Sequence, residues 1–111
     1  MSNQVIEQIG GIVANDDVVL FMKGVPAAPQ CGFSAAVVQL LSGAGIPFKS
    51  VDVLADQRIR DGVKEFSRWP TIPQLYIKGE FIGGSDIVRE MFQSGELAAL
   101  LAEKNIAVTP A

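Results

Sequence analysis

The sequence predicts an α/β domain in which helices flank both faces of a four-stranded mixed sheet. First, the apolar run VVLFM at residues 18–22 is typical of a strand that is covered on both faces. Second, helical periodicity and then another strand follow this run, and such a βαβ unit requires a parallel pair with a right-handed crossover. Third, QLYI and EFIG flank the dipeptide KG at residues 78–79, which predicts a hairpin that adds two antiparallel strands.

In the first half of the chain, apolar residues at helical spacing predict one helix on each side of the buried strand. These positions are Val5, Ile9, Ile12 and Val13 in the first helix, and Val37, Leu40, Leu41 and Ala44 in the second. The second helix starts near Phe33 and is ended by Gly43 and Gly45. Between strand and helix, GVPAAPQ at residues 24–30 contains two prolines and a glycine, which predict a loop.

In the second half, residues 48–53 alternate weakly between apolar and polar side chains and are predicted to form a strand. Asp56 is the predicted N-cap of a third helix, which contains Gly62. A fourth helix opens at GGSD, residues 83–86, and Gly95 separates it from a short last helix. The apolar positions of these three helices are Ile59, Val63 and Phe66, then Ile87, Val88 and Met91, then Leu97, Leu100 and Leu101.

Length and composition indicate a single domain over residues 1–111, with residues 105–111 as a loose C-terminal tail. Hydrophobic residues make up 49% of the chain, which is enough for a core without disulfides. The chain has no histidine, which excludes histidine acid–base catalysis, Ser-His-Asp triads and histidine-ligated zinc. The net charge of −3 gives no reason to expect a nucleic acid or an anionic membrane as partner.

The cysteine content and the N-terminus predict a cytoplasmic location. A single cysteine cannot form an internal disulfide, and this suits a reducing compartment. The first ten residues, MSNQVIEQIG, lack the basic end and the long apolar run of a secretory signal. The apolar run at residues 18–22 is far too short to span a bilayer.

Cys31 is the candidate reactive group. It lies after the proline-rich loop and just before a predicted helix, where the free N–H groups of the first turn favour a thiolate. Gly32 lets a ligand approach the backbone closely, and Lys23 at the end of the strand adds positive charge. The alternative is a small buried hydrophobic residue, the usual state of a lone cysteine. The polar and glycine neighbours favour an exposed, reactive thiol.

Two segments taken together identify a family. KGVPAAPQCGFS at residues 23–34, followed by WPTIPQLYIKGEFIGGSDI at residues 69–87, resembles the monothiol, CGFS-type glutaredoxins. The two motifs, their spacing and the order of elements match over nearly the whole chain. The resemblance implies a thioredoxin-like fold, glutathione binding, and a [2Fe–2S] cluster shared by two chains in a homodimer.

The resemblance also implies roles for individual residues. Cys31 is the catalytic residue and the cluster ligand, next to Gly32 and Phe33 of the same motif. Lys23 and Arg60 match the positions that bind the glycyl carboxylate of glutathione, although Arg60 has the alternative of an ordinary surface charge. A cis bond is implied before Pro73.

The remaining implied residues lie at Ile72 and at the start of the fourth helix. The cis bond would leave the N–H and C=O of Ile72 free to pair with a peptide ligand. Gly84 allows close approach, Ser85 offers helix N-terminal N–H groups to the γ-glutamyl carboxylate, and Asp86 takes the ammonium group. Ser85 or Asp86 has the alternative of a simple helix cap, and both roles are compatible.

The chain departs from the family pattern near the thiol and at the fourth helix. Ser85 stands where many members have a second cysteine, so no internal disulfide with Cys31 is available. Val25 replaces a threonine, and Ala27 and Ala28 replace acidic residues, which changes the polarity of the loop.

The number of ligands that iron requires favours a cluster carrier. A [2Fe–2S] cluster needs four ligands, two chains supply two thiolates, and two glutathione molecules complete the set. The leading hypothesis is delivery of the cluster to acceptor proteins. The alternatives are a glutathione-dependent oxidoreductase that acts on protein–glutathione mixed disulfides, and an iron-sensing adaptor with a BolA-type partner. Whether the chain is an enzyme stays open, with at most weak oxidoreductase activity expected.

Overall fold

The computed structural model describes residues 3–109, which form five helices and six strands. In chain order these are α1 (Asn3–Asn15), β1 (Val18–Met22), β2 (Gly24–Val25), β3 (Ala28–Pro29), α2 (Gly32–Gly43), β4 (Lys49–Asp52), α3 (Gln57–Ser67), β5 (Gln74–Ile77), β6 (Glu80–Gly83), α4 (Ser85–Ser94) and α5 (Glu96–Glu103). Over these residues, no helix combines the length and the apolar character that crossing a bilayer would need. This order of elements contains each of the helices and main strands predicted from the sequence.

The main sheet has four strands in the order β4-β1-β5-β6. β1 is parallel to β4, with Val19 opposite Lys49, and antiparallel to β5, with Leu20 opposite Leu75. β5 and β6 form the predicted hairpin. Every residue of β1 is buried, as expected for a central strand with helices on both faces. The mixed sheet predicted from the sequence is confirmed.

Alternate side chains of β1 enter two separate cores, one on each face of the sheet. Val18, Leu20 and Met22 belong to the core that α2, α4 and α5 cover. Val19 and Phe21 belong to the core that α1 and α3 cover. The protein is therefore a three-layer structure, with two helices on one face of the sheet and three on the other.

Gly62 lies in α3 at the point where this helix packs against α1. A Cβ atom built on Gly62 would lie 2.6 Å from Cγ1 of Val5 and 2.9 Å from Cδ1 of Ile9. These side chains belong to α1, so the glycine lets α1 and α3 approach each other closely. Glycine has a lower helix propensity than alanine, and the close packing against α1 offsets this cost.

The segment between β1 and α2 is more ordered than a plain loop. β2 and β3 pair antiparallel across residues 24–29, and the N–H of Gln30 donates to the carbonyl of Lys23 at 2.9 Å. Gly24 has a φ of +90°, and a Cβ there would lie 2.7 Å from the Ala28 carbonyl oxygen. The turn that presents Cys31 is thus a closed miniature hairpin.

The C-terminal segment differs from the predicted loose tail over residues 105–109. Ile106 is 7% exposed and packs into the core beneath α2 and α5. The N–H of Thr109 donates to the carbonyl of Gly45 at 2.8 Å. The prediction missed this attachment because one apolar residue after a helix has no periodicity to reveal it. Residues 110–111 of the predicted tail lie outside the described residues.

Candidate functional site

A cleft of about 540 Å³ lies beside Cys31. Its walls come from the end of β1, the start of α2, residue 64 of α3, residues 69–73, and residues 84–87 at the start of α4. The cleft therefore lies where the carboxyl end of β1 meets the N-termini of two helices. Helix N-termini present unpaired N–H groups, which favour anionic ligands.

The structure brings most of the predicted site residues together in this cleft. Those that line it are Lys23, Cys31, Phe33, Ile72, Pro73, Gly84, Ser85 and Asp86. Gly32 and Arg60 are not among the lining residues. Gly32 is the first residue of α2, and no heavy atom lies within 4 Å of a Cβ built on it, so the space beside its backbone is open.

The cation of α3 that lines the cleft is Lys64. Arg60, the residue predicted from the sequence, lies one helical turn earlier and is half-buried. Residues four apart share a helix face, so the spacing of Arg60 and Lys64 was the signal that could have indicated both. Thr71 also lines the cleft and was not predicted, although it lies inside the WPTIP motif.

Cys31 is the N-cap residue of α2. Its backbone is extended, with φ −151° and ψ 135°, and its carbonyl accepts the first helical hydrogen bond from the N–H of Ala35 at 2.9 Å. The residue is partly exposed. The predicted position at a helix start is therefore confirmed, whereas the thiol that was predicted to be exposed is only partly exposed.

The surroundings of Cys31 lower the pKa of its thiol. The backbone N–H of Ser34 has the largest effect, and partial burial of the sulfur opposes it. The N–H of Phe33, the charge of Lys23 and the Ser34 hydroxyl lower the pKa further. The sulfur makes no capping hydrogen bond of conventional geometry, so these groups act on the thiolate mainly as nearby dipoles and charge.

Ser34, three residues after the thiol, faces the interior. It is fully buried, and its hydroxyl oxygen accepts a hydrogen bond from the backbone N–H of Lys23 at 3.1 Å. This bond joins the end of β1 to the first turn of α2. The adjacent N–H of Gly24 donates to Oδ1 of Asp52 at 2.9 Å, and Leu54 N–H donates to the same oxygen at 2.9 Å. These bonds hold the segment that carries Lys23.

Residues 69–73 form a second wall of the cleft. The Ile72–Pro73 peptide bond is cis, as the resemblance implied. Ile72 is 6% exposed and its side chain belongs to the core shared with α1 and α3. Its main chain is therefore the part that is available to a ligand in the cleft.

Gln74 follows this wall and was not predicted as a functional residue. It is a fully buried polar residue at the first position of β5. Its Nε2 donates to the carbonyls of Trp69 and Thr71, each at 3.1 Å, and its Oε1 accepts from the hydroxyl of Tyr76 at 3.1 Å. Burial raises the pKa of Tyr76 to about 12, and the polar influence of the Ser67 hydroxyl opposes the shift.

The start of α4 closes the cleft. A Cβ on Gly84 would lie 3.3 Å from the Pro73 carbonyl oxygen and 3.6 Å from Nε1 of Trp69, so a glycine keeps the two walls close. Asp86 is in the first turn of α4 and forms an ion pair with Arg89 at 3.2 Å. The Asp86 side chain is 83% exposed, so this pair is weak and a ligand can compete for the carboxylate.

The chain offers a metal ion one thiolate, that of Cys31. Among residues 3–109, no group of three or more potential cysteine or carboxylate ligands comes together. Cys31 is the one cysteine of the sequence. Any iron site at this cleft would need ligands from other molecules.

Sequence comparison matches the chain to one family model and to similar proteins from several organisms. The family model described as Glutaredoxin matches residues 18–82. An uncharacterized monothiol glutaredoxin, ycf64-like, of Synechocystis sp. is 54% identical over 101 residues, covering 91% of this chain and 94% of the relative. Monothiol glutaredoxin-5, mitochondrial, of Saccharomyces cerevisiae is 49% identical over 106 residues, covering 93% of this chain and 71% of the relative.

Structural comparison agrees. The solution structure of a monomeric truncated mutant of Trypanosoma brucei 1-C-Grx1 superposes with a TM-score of 0.87. The two sequences are 44% identical, and the match covers 96% of each chain.

Proposed function

The chain belongs to the glutaredoxin family, among its monothiol members, and from this we propose that it carries a [2Fe–2S] cluster as cargo. Its fold is thioredoxin-like. In the proposal, Cys31 of each chain in a homodimer and two glutathione molecules ligate the cluster, which is then delivered to iron–sulfur acceptor proteins. The observation that supports this most directly is a single accessible thiol of lowered pKa at the mouth of the cleft.

The position of Ser34 supports the carrier over a two-thiol redox protein. A cysteine there would give the thiolate of Cys31 a competing internal disulfide. Serine removes this alternative, and its hydroxyl is already engaged by the Lys23 N–H. Cys31 is left to bind metal or to form a mixed disulfide with another molecule. A cluster held by two exchangeable glutathione ligands is also easier to transfer.

The charges of the cleft suit glutathione, which glutaredoxins use. Glutathione has two carboxylates and one ammonium group. Lys23, Lys64 and the N-terminus of α4 supply positive potential for the carboxylates, and Asp86 supplies a partner for the ammonium. Gly84 leaves the backbone accessible between them. The predicted contact with Arg60 remains a prediction.

Reconstitution tests the proposal. Purified protein is incubated with iron, sulfide and glutathione, and iron, sulfide and glutathione are quantified across a size-exclusion peak. We expect a dimer with two glutathiones per cluster, and no cluster when glutathione is left out. Cys31→Ser should abolish cluster and dimer while the apo-fold survives. A cluster-loaded monomer, or a loaded dimer without glutathione, would contradict the shared-ligand arrangement.

A second candidate is favoured by the lowered pKa of the Cys31 thiol. The thiolate attacks a protein–glutathione disulfide, which releases the protein thiol and leaves Cys31 joined to glutathione. A second glutathione thiolate then attacks that disulfide, frees Cys31 and departs as oxidised glutathione. Turnover of a glutathionylated peptide by colourless, cluster-free protein would support this activity.

Partner and location remain proposals. A heterodimer with a BolA-type protein is tested by co-elution of the two purified proteins with one shared cluster. The proposed cytoplasmic location is supported by the unpaired thiol, which a reducing compartment preserves. Cell fractionation tests it, since one similar protein has a mitochondrial name.

A further inference from the structure

The wall of the cleft formed by residues 69–73 is anchored by side chains. This wall lies outside the helices and strands, between α3 and β5, and two of its residues are prolines without an N–H donor. The hydroxyl of Ser67 accepts from the Trp69 N–H at 3.1 Å, and Gln74 donates to the carbonyls of Trp69 and Thr71. The side chains of Ser67 and Gln74 therefore hold the backbone of this short segment by hydrogen bonds.

The amide of Gln74 has only one orientation that satisfies its neighbours. The carbonyls of Trp69 and Thr71 can only accept, so the NH₂ group must face them. The amide oxygen then faces Tyr76, whose hydroxyl donates to it. Over the described residues, no buried side-chain nitrogen or oxygen lacks a partner. The wall carbonyls, the Gln74 amide and the Tyr76 hydroxyl therefore form a continuous chain of hydrogen bonds.

The Tyr76 ring is itself held in place. It packs edge-on against Phe21 and Phe81, with ring centroids 5.6 and 5.5 Å away, and lies 6.0 Å from Phe66. Phe81 in turn contacts the Trp69 ring at 5.9 Å. A rigid aromatic group thus orients the amide that orients the cleft wall.

We propose that Gln74 is a positioning residue for glutathione, and that Tyr76 acts through it. Both carbonyls that Gln74 holds belong to residues that line the same cleft as Cys31. Holding them in one arrangement lowers the ordering cost that binding would otherwise carry. This role rests on the proposed glutathione-dependent function. It assigns part of the protein's affinity for glutathione to Gln74, which does not line the cleft.

Three variants test it. Gln74→Met keeps the side-chain length and removes both donors, while Tyr76→Phe removes only the hydroxyl that orients the amide. Leu101→Val is the matched control, because Leu101 belongs to α5, is buried in the core on the other face of the sheet and does not line the cleft. For each variant, the affinity of the reduced apo-protein for reduced glutathione is measured by calorimetry, and its thermal midpoint is recorded.

We expect Gln74→Met to weaken glutathione binding roughly tenfold, because the variant loses the two hydrogen bonds that hold the wall of the cleft, and a hydrogen bond typically contributes about as much as a tenfold change in affinity. Tyr76→Phe should weaken it roughly threefold. Leu101→Val should lower the thermal midpoint and leave affinity unchanged. The emission of Trp69, the single tryptophan of the sequence, should change in Gln74→Met and stay as in the parent in Leu101→Val.

The outcomes separate this inference from the function itself. Unchanged affinity for glutathione in Gln74→Met overturns the positioning role. It is also overturned if Leu101→Val loses affinity in proportion to its lower thermal midpoint, because affinity would then depend only on stability. Should Gln74→Met fail to fold, Tyr76→Phe decides, and parent-like affinity there overturns it. If the parent protein binds neither glutathione nor a cluster, the proposed function is what fails.

Discussion

The buried hydroxyl of Ser34 accepts a hydrogen bond from the backbone N–H of Lys23 at 3.1 Å. The residue in the position of a second redox cysteine is thus a structural link between β1 and α2. The same bond fixes the backbone of a cation that lines the cleft beside the thiol. The absence of a second cysteine and the placement of Lys23 are therefore connected in this chain.

Ser34→Ala should destabilise the protein by about 1–2 kcal/mol, because it leaves the Lys23 N–H without its partner. Denaturant unfolding measures the change. Ser42→Ala, at an exposed position of the same helix, is the control and should cost much less. Equal costs for the two variants would mean that the Lys23–Ser34 bond contributes nothing.

Ser34→Cys creates a C-x-x-C pair at the start of α2. We expect an internal disulfide under mild oxidation and a gain in oxidoreductase activity, because the two side chains belong to one turn. Mass spectrometry after alkylation distinguishes the disulfide from free thiols. Two alkylated thiols in the oxidised variant would place position 34 out of reach of Cys31.

Lys23→Gln should raise the pKa of the Cys31 thiol, but only modestly. The backbone N–H of Ser34 has the largest effect on this pKa, and the charge of Lys23 is a smaller contribution. The rate of thiol alkylation against pH gives the midpoint. Lys78→Gln is the control, since Lys78 forms an ion pair with Asp17 at 2.8 Å and does not line the cleft. A midpoint identical to the parent would exclude Lys23 as an influence on the sulfur.

Tyr76 should make folding sensitive to alkaline pH. Its pKa is raised from 10.0 to about 12 in the folded protein, so the unfolded chain loses this proton first. The associated stability is fully present below pH 10 and is lost as pH rises towards 12. It amounts to about 2–3 kcal/mol, because each pKa unit corresponds to about 1.4 kcal/mol.

The chain has one tyrosine, so tyrosinate absorbance reports this group alone. Titration of the folded protein should show ionisation close to pH 12, and unfolded protein should titrate near 10. Tyr76→Phe should unfold with a weaker dependence on pH over that interval. A folded-state midpoint at the ordinary value would show that the hydroxyl reaches solvent.

Gly62→Ala should destabilise the protein, although alanine is the better helix former. The new methyl group would overlap side chains of Val5 and Ile9, and overpacking costs about 1–3 kcal/mol. Gly11→Ala in α1 is the matched control, because no heavy atom lies within 4 Å of a Cβ built on Gly11. That variant should gain up to about 1 kcal/mol from helix propensity. Stabilisation by both substitutions would contradict the close approach of α1 and α3.

The sequence alone determined the elements and the neighbourhood of the thiol. The run at residues 18–22, the hairpin around residues 78–79 and the Asp56 cap, whose carboxylate accepts from the Arg58 N–H at 2.9 Å, all appear as predicted. Each depends on neighbours in the chain: periodicity, turn residues or a cap. The quoted motifs likewise indicated most residues of the cleft, because they come from short contiguous segments.

Only the tertiary structure decided which polar groups are buried and what they hold. Ser34 and Gln74 resemble ordinary polar residues in the sequence, yet both are fully buried and bond to distant or irregular backbone. Lys64 lines the cleft, and Gly62 meets α1 because of how α3 packs. Periodicity specifies which face of an element turns inward, but the partner on that face comes from long-range packing, which brings together residues far apart in the chain.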